Sequence, residues 1–271
     1  MSEEIISRRF QLSSFQIIIL GFAGVILLGA LLLMLPISTQ EGCTTPFNEA
    51  LFTATSAVCV TGLVIHDTGS YWSAFGQIVI LTLIQIGGLG VVTVAASFAL
   101  LSRRKISLMQ RTTMQDALSA PNVGGIVRLT KFILWGTFLI ELIGALVMLP
   151  VFCRDYGCHG VWMVAFHSIS AFCNAGFDIL GTADNLYPSL TGYWQNPIIN
   201  ITIMLLIIIG GIGFLTWEDI YENKLQFRRY RMQSKVILIF TLILIILPAI
   251  FFFFADFAAL PIEARLQAAL F

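Results

Sequence analysis

The sequence predicts an all-α membrane protein built from repeated units, each made of a transmembrane helix, a short re-entrant helix and a second transmembrane helix. Three observations lead to this fold class. Hydrophobic residues make up 58% of the 271 residues and charged residues only 11%, whereas soluble proteins carry about 25% charged residues. Five apolar runs approach the ~20 residues that cross a bilayer, and two sequence blocks recur in the same order. Lipid must therefore cover much of the surface.

The five apolar runs are predicted to be membrane-spanning helices. They are Phe15–Pro36, Phe75–Leu101, Leu129–Val151, Pro197–Thr216 and Val236–Ala255. The first run has no small-residue cleavage site, so we expect a retained helix rather than a signal peptide. Thirteen of the 15 basic residues lie before the first run or within 103–131 and 224–235. Because cytoplasmic segments are enriched in Lys and Arg, this distribution predicts a cytoplasmic N-terminus.

Two shorter apolar segments, Phe47–Val58 and Gly160–Phe172, lie between the spans on the side that carries few basic residues. Each has about a dozen residues, a length typical of a re-entrant segment rather than of a full crossing. A full crossing would also break the alternation of basic and non-basic segments. We predict two half-membrane helices whose C-termini converge.

The two units share two sequence patterns. Ser-Ala-x-Cys-x-x-Gly occurs at 56–62 and at 170–176, and Gly-Gly-x-Gly follows at 87–90 and at 210–213. The repeat predicts one unit at 15–101 and a second at 129–220, with cytoplasmic connectors at 102–128 and 221–235 after a cytoplasmic N-terminus at 1–14. Residues 236–271 are predicted to begin a third unit, because Ala269-Leu270-Phe271 matches Ala50-Leu51-Phe52. We therefore expect the chain to be a fragment that ends inside its third repeat.

A short helix that ends inside the membrane favours a cation at its C-terminus, where the helix dipole places about half a negative charge. The loop that follows is neither helix nor barrel, and such backbone is tolerated at membrane depth only where it lines a cavity or is buried in protein. Its main-chain carbonyls can replace the hydration shell of an ion, and glycine permits the sharp bend. The predicted ion-binding residues are Cys59, Val60, Thr61, Gly62, Cys173, Asn174, Ala175 and Gly176.

One such loop supplies too few oxygens to hold a dehydrated ion. Known cation filters of this kind use four loops. Two complete repeats would form half of such a ring, which again indicates either a truncated chain or dimerisation.

At these loops the sequence resembles the Trk/Ktr/HKT superfamily of potassium and sodium transporters, most specifically in the block from Thr55 to Leu63. The short start before the first run is more similar to the Ktr-type membrane subunit. The resemblance implies four span–pore-helix–span units around one pore, each with one filter glycine, here Gly62 and Gly176. It also implies potassium as the transported ion, with sodium in some members, and a homodimer in the plasma (inner) membrane bound to a cytosolic nucleotide-binding regulatory ring.

Other function classes have less support in the sequence. Motifs such as Gly-x-Ser-x-Gly and His-Glu-x-x-His do not occur, so no enzyme activity is predicted. Basic and acidic residues balance at 15 each, which gives no indication of a nucleic-acid partner, while the basic clusters could contact lipid head groups. A non-conducting membrane scaffold or signalling protein, and a sodium-preferring transporter of the same fold, stay open as alternatives.

Some residues outside the loops allow two interpretations. Glu141, inside the third run, is a functional candidate by default, but we favour a hydrogen-bonding partner on a neighbouring helix, and Gln85 is expected to pack. The glycine clusters are expected to pack against the re-entrant helices, with a kink as the second interpretation. Asp67 and Asp178 either concentrate cations at the outer mouth or belong to solvated loops. The cysteines outside the loops either form a disulfide or are free thiols: Cys43, Cys153 and Cys158.

Overall fold

The computed structural model describes residues 13–91, 93–95, 108–118, 125–224, 226–257 and 261–270. Within these ranges the chain is helical and contains no β-strand beyond two isolated bridges, which confirms the predicted all-α class. Ten α-helices have defined bounds: α1 (Ser14–Leu33), α2 (Phe47–Val58), α3 (Ala74–Leu89), α4 (Leu108–Leu118), α5 (Ile126–Tyr156), α6 (His159–Phe172), α7 (Pro197–Gly211), α8 (Phe214–Asn223), α9 (Met232–Phe254) and α10 (Ile262–Leu270).

Three of the described helices, α1, α5 and α9, are long and apolar enough to cross a membrane. The bent pair α7–α8 makes a fourth if the two helices are counted as one span. The helix α9 is the most apolar of these and buries only Ser234, so its side chains mostly face outward, as in a helix surrounded by lipid. The chain is therefore a multi-pass membrane protein.

The runs predicted as the second and fourth spans are each interrupted at their glycine cluster, which agrees with the second interpretation of these clusters, a kink. The helix α3 ends at Leu89 and α7 ends at Gly211, each near a glycine with left-handed backbone, Gly90 at φ 82° and Gly213 at φ 84°. Beyond Gly213, α8 continues at an angle of 96° to α7. Glycine adopts this conformation at little cost because it has no Cβ. The predicted end of the second span at Leu101 lies outside the described residues.

A buried carboxylate on α8 contacts the start of α9. Asp219 on α8 accepts hydrogen bonds at Oδ2 from the backbone N–H of Arg231, at 3.0 Å, and from the hydroxyl of Ser234, at 2.5 Å. Arg231 precedes α9 and has no capping hydrogen bond from its own side chain. Asp219 therefore satisfies a donor at the N-terminus of α9, where a negative charge is also favourable.

The two re-entrant helices lie between longer helices of their own units. The helix α2 has the predicted bounds, and α6 begins one residue before its predicted start. With 12 and 14 residues, they are about 18 and 21 Å long, too short for a hydrocarbon core of ~30 Å. The helix α2 packs against α1 and α3, and α6 packs against α5 and α7, and the last residue of each, Val58 or Phe172, is buried.

Candidate functional site

Both re-entrant helices end in the same hydrogen-bonded turn. After α2, the N–H of Thr61 donates to the carbonyl of Ser56 at 2.9 Å, and the N–H of Val60 donates to that of Ala57 at 3.3 Å. After α6, the N–H of Ala175 donates to the carbonyl of residue 170 at 2.8 Å, and the N–H of Asn174 donates to the carbonyl of residue 171 at 3.0 Å. This pair of bonds defines a Schellman motif. The first loop (Cys59–Gly62) and the second loop (Cys173–Gly176) therefore start from equivalent geometry.

The loops also share their backbone conformation. Val60 and Asn174 have φ of 56° and 57°, and Gly62 and Gly176 have φ of 77° and 70°. Asparagine and glycine are common in this left-handed region, whereas a β-branched residue such as valine is an outlier there. Such strain, of order 1–3 kcal/mol, persists only where the surrounding structure imposes it and is frequent at functional sites.

The turn determines where the loop carbonyls point. The described peptide bonds are all trans, and in a trans peptide the N–H and C=O groups point in opposite directions. Because the N–H groups of Val60 and Thr61 point back towards α2, the carbonyls of Cys59 and Val60 point away from it. The same holds for Cys173 and Asn174 at the end of α6. Each helix end therefore presents main-chain oxygens outward.

One serine holds the exit of each loop, a role that sequence reasoning missed. The hydroxyl of Ser56 accepts a hydrogen bond from the N–H of Leu63 at 3.0 Å, and that of Ser170 accepts one from the N–H of Phe177 at 3.1 Å. Ser170 also donates to the carbonyl of Phe177 at 2.6 Å. Both serines stand in the repeated pattern, but the sequence did not indicate that their hydroxyls bond seven residues ahead.

The two loops meet at their glycines. A Cβ placed on Gly62 would lie 2.8 Å from the carbonyl oxygen of Ala175 and 3.3 Å from the Cα of Gly176, and one on Gly176 would lie 3.3 Å from the Cα of Gly62. Of the eight predicted residues, Cys173 and Ala175 are buried, whereas Val60 and Gly62 are partly exposed. The other four are exposed: Cys59, Thr61, Asn174 and Gly176. The structure thus brings the two predicted segments together.

The glycine clusters support the loops from behind. A Cβ on Gly87 would overlap the carbonyl oxygen of Val58, the last residue of α2, and a Cβ on Gly210 would overlap that of Phe172, the last residue of α6. The expected packing of these clusters against the re-entrant helices is confirmed. The last glycine of each cluster, Gly90 or Gly213, also marks the end of a helix. A Cβ on Gly88 would lie only 2.8 Å from the Cβ of Cys173, so α3 also contacts the loop of the second unit.

Residues 12–265 match the TrkH family of cation transport proteins. The chain belongs to this family. It is 41% identical over 239 residues to the potassium/sodium uptake protein NtpJ of Enterococcus hirae and 42% identical over 231 residues to the Ktr system potassium uptake protein B of Bacillus subtilis. These alignments cover 88% and 84% of this chain but 51% and 50% of the relatives. The chain spans about half the length of the curated relatives it matches.

Membership of the TrkH family confirms the resemblance that the first loop indicated. A protein named Ktr system potassium uptake protein B in Vibrio alginolyticus is a further relative, at 33% identity over 243 residues, or 89% of this chain and 52% of its own length. The family is one of transport proteins, which agrees with the prediction that the chain is not an enzyme.

In this TrkH-family chain, a polar pair of one buried and one half-buried side chain joins the two units beside the second loop. The amide of Gln85 on α3 donates to both carboxylate oxygens of Glu141 on α5, at 3.0 and 3.3 Å. Its own oxygen lies 3.9 Å from the thiol of Cys173, and Ser168 on α6 donates to the main-chain carbonyl of Glu141 at 2.6 Å. The preferred interpretation of Glu141, a partner on a neighbouring helix, is confirmed. Gln85 forms a hydrogen bond and does not only pack.

Beyond the first loop, Asp67 links the two units and does not lie in a solvated loop. Its carboxylate is buried and accepts hydrogen bonds from the N–H of Ser70 at 2.7 Å and of Tyr187 at 2.9 Å. Gly181 leaves space for this carboxylate, which a Cβ at 181 would overlap. The solvated-loop interpretation of Asp67 is therefore wrong, whereas its role in concentrating cations stays a prediction. Burial raises the pKa of the Asp178 carboxyl above its usual range, and the negative charge of Asp67 adds to this.

Two histidines near the loops make contacts within the protein. His167 is buried and bonds through Nδ1 to the carbonyl of Met163 at 2.7 Å. His66 contacts a carboxylate oxygen of Glu49 through Nε2 at 2.6 Å and stacks on Tyr71. No group of metal-ligating side chains occurs among the described residues. All five cysteines are free thiols, so the disulfide alternative is not realised.

Proposed function

We propose that this chain supplies part of a potassium-conducting pore, in which the first and second loops bind the ion through main-chain carbonyls. The observation that carries the proposal is the contact between Gly62 and Gly176, which joins two loops of equivalent geometry. A single loop offers an ion only a few oxygens, whereas loops that converge from separate units can surround it.

The direction of the backbone supports a cation rather than an anion. The Schellman turns direct N–H groups back into α2 and α6 and carbonyl oxygens away from them. The helix dipole adds about half a negative charge at the same ends. Oxygens in a protein-lined site replace the hydration shell of a cation, so the two effects favour the same charge. Gly176, at the end of the second loop, is exposed, as is Asn174 within that loop.

Potassium is the ion that we favour, because the relatives from Bacillus subtilis and Vibrio alginolyticus are named potassium uptake proteins. The relative from Enterococcus hirae is named for potassium and sodium, so a sodium-conducting pore of the same fold is the second candidate. A non-conducting scaffold has less support, since it gives no reason for strained, converging loops.

We infer that residues 15–101 and 129–220 form two quarters of the pore and that 236–271 starts a third. We also infer that the protein lies in the plasma membrane with its N-terminus in the cytoplasm. Homodimerisation and a cytosolic nucleotide-binding regulatory ring follow from the family resemblance, and the basic connectors at 102–128 and 221–235 could contact this ring or lipid head groups.

The test is Gly62→Ser in the protein expressed from its complete gene, reconstituted in vesicles. The new side chain would meet the carbonyl of Ala175 at 2.8 Å and would be strained at φ 77°, so we expect the ratio of potassium to sodium flux to fall. Gly42→Ser is the matched control, because Gly42 has a φ of 71° but nothing within 4 Å of a Cβ. It introduces the same backbone strain away from the loops and should leave the flux ratio unchanged. Equal flux ratios for Gly62→Ser and wild type would refute the assignment.

A further inference from the structure

We propose that the hydroxyls of Ser56 and Ser170 are positioning groups that aim the carbonyl oxygens of Gly62 and Gly176 at the permeating ion. The inference deepens the proposed function and rests on it. It assigns ion selectivity to two side chains that do not contact the ion.

A serine hydroxyl binds the peptide that follows each filter glycine. The N–H of Leu63 belongs to the same peptide plane as the carbonyl of Gly62, and the N–H of Phe177 to that of Gly176. Each N–H donates to a serine hydroxyl, at 3.0 and 3.1 Å. Because the N–H and C=O groups of a trans peptide are opposed, fixing the N–H towards the helix turns the glycine carbonyl away from it.

This bond supplements the Schellman turn at the start of the loop. The turn orients the carbonyls of residues 59, 60, 173 and 174 through backbone bonds alone. It does not reach the glycine carbonyls, and glycine is the residue with the greatest conformational freedom. The serine hydroxyl therefore restrains a loop carbonyl that the turn does not orient.

The hydrogen bonds of these serines differ from those usual in helices. Serine and threonine hydroxyls in a helix commonly bond the carbonyl four residues back, and the neighbouring Thr55 does so, donating to Leu51 at 2.7 Å. Ser56 and Ser170 instead bond seven residues ahead, across the loop, and both are buried. The same departure occurs in both units, at equivalent positions of the repeat.

The two units hold their loops unequally. Ser170 accepts from the N–H of Phe177 and donates to its carbonyl, at 2.6 Å. Ser56 accepts from the N–H of Leu63, and its own carbonyl accepts from the hydroxyl of Thr61 at 3.2 Å. Loss of the Ser170 hydroxyl removes two bonds to the loop exit, whereas loss of the Ser56 hydroxyl removes one. The second loop is therefore predicted to depend more strongly on its serine.

The experiment compares Ser56→Ala and Ser170→Ala with Thr55→Val, in the protein expressed from its complete gene and reconstituted in vesicles that contain potassium or sodium. We expect Ser170→Ala to lower the potassium-to-sodium flux ratio about tenfold, which corresponds to ~1.4 kcal/mol, and Ser56→Ala to lower it less. Thr55→Val removes a hydroxyl of α2 that bonds Leu51 and not the loop. It should leave the potassium-to-sodium flux ratio unchanged. Ser170→Thr keeps a hydroxyl at this position and should therefore retain most of the wild-type flux ratio.

The outcomes separate this inference from the proposed function. An unchanged ratio in both alanine variants, together with a lowered ratio in Gly62→Ser, would overturn the inference and leave the filter assignment intact. An unchanged ratio in Gly62→Ser as well would refute the filter itself. If the alanine variants do not yield folded protein, Ser56→Cys and Ser170→Cys keep a side chain of similar size with a weaker hydrogen-bonding group. A wild-type ratio in these variants would equally overturn the inference.

Discussion

Replacing Gly87 by alanine should separate α3 from the end of α2. A Cβ on Gly87 would lie 2.7 Å from the carbonyl carbon of Val58 and 3.0 Å from its Cα, and closer still to the carbonyl oxygen. Carbon atoms in contact are normally ~3.5–4.0 Å apart, so the two helices must move apart by about 1 Å. Because the obstacle is main chain, no change of rotamer can relieve the overlap.

The free energy of this change follows from two opposing terms. Overpacking costs ~1–3 kcal/mol, and an overlap with buried backbone belongs at the upper end of that range. Alanine recovers ~0.5–1 kcal/mol because it is less flexible than glycine in a helix. The net destabilisation is therefore about 2 kcal/mol, equivalent to a fall in Tm of roughly 4–8 °C for a chain of about this size.

The assay is thermal unfolding of the purified protein in detergent, followed by tryptophan fluorescence. Gly24→Ala on α1 is the matched control, because it makes the same chemical change inside an apolar helix with nothing within 4 Å of the new Cβ. The control should leave Tm unchanged or slightly raised. A Tm for Gly87→Ala at or above that of Gly24→Ala would refute the assignment of Gly87 as a close-contact site.

Two further predictions concern buried and half-buried carboxylates. Gln85→Leu leaves the buried Glu141 without its hydrogen bond and should cost about 1–3 kcal/mol, whereas Glu141→Leu leaves the half-buried Gln85 and should cost less. The double variant should cost at least ~0.5 kcal/mol less than the sum of the two. Additive losses in chemical or thermal unfolding would contradict the pairing. The raised pKa of Asp178 means that the folded state holds its proton more tightly than the unfolded state, so stability should fall as pH rises above about 4, the pKa of an unperturbed carboxyl. Asp178→Asn should remove this fall, giving a higher Tm than wild type at neutral pH and a similar Tm in acid, whereas parallel Tm-against-pH curves would contradict it.

Local sequence determined the elements that depend on length and composition. The segments Phe47–Val58 and Gly160–Phe172 could be predicted almost to the residue, since a dozen apolar residues between turn-forming segments can form a helix but cannot cross a bilayer. The repeat also placed the glycines that end each loop, Gly62 and Gly176, because glycine adopts positive φ at little cost.

Hydropathy could not locate the breaks in the second and fourth spans. Each cluster holds three glycines, and an apolar helix tolerates all of them. Only the folded chain distinguishes Gly87 and Gly210, which contact a helix end, from Gly90 and Gly213, which adopt positive φ. The difference depends on what lies opposite each glycine, and that information is not local.

The sequence by itself determined that this is a membrane protein of repeated units with two glycine-ended loops, because lipid solvation and helix length act on short stretches of chain. The tertiary structure alone decided which polar groups serve those loops. A reversal of the chain brings Ser56 and Leu63 together. Contact between the two units brings Asp67 and Tyr187 together. A buried hydrogen bond depends on which donor the fold places within about 3 Å of the acceptor, and sequence spacing does not specify this distance.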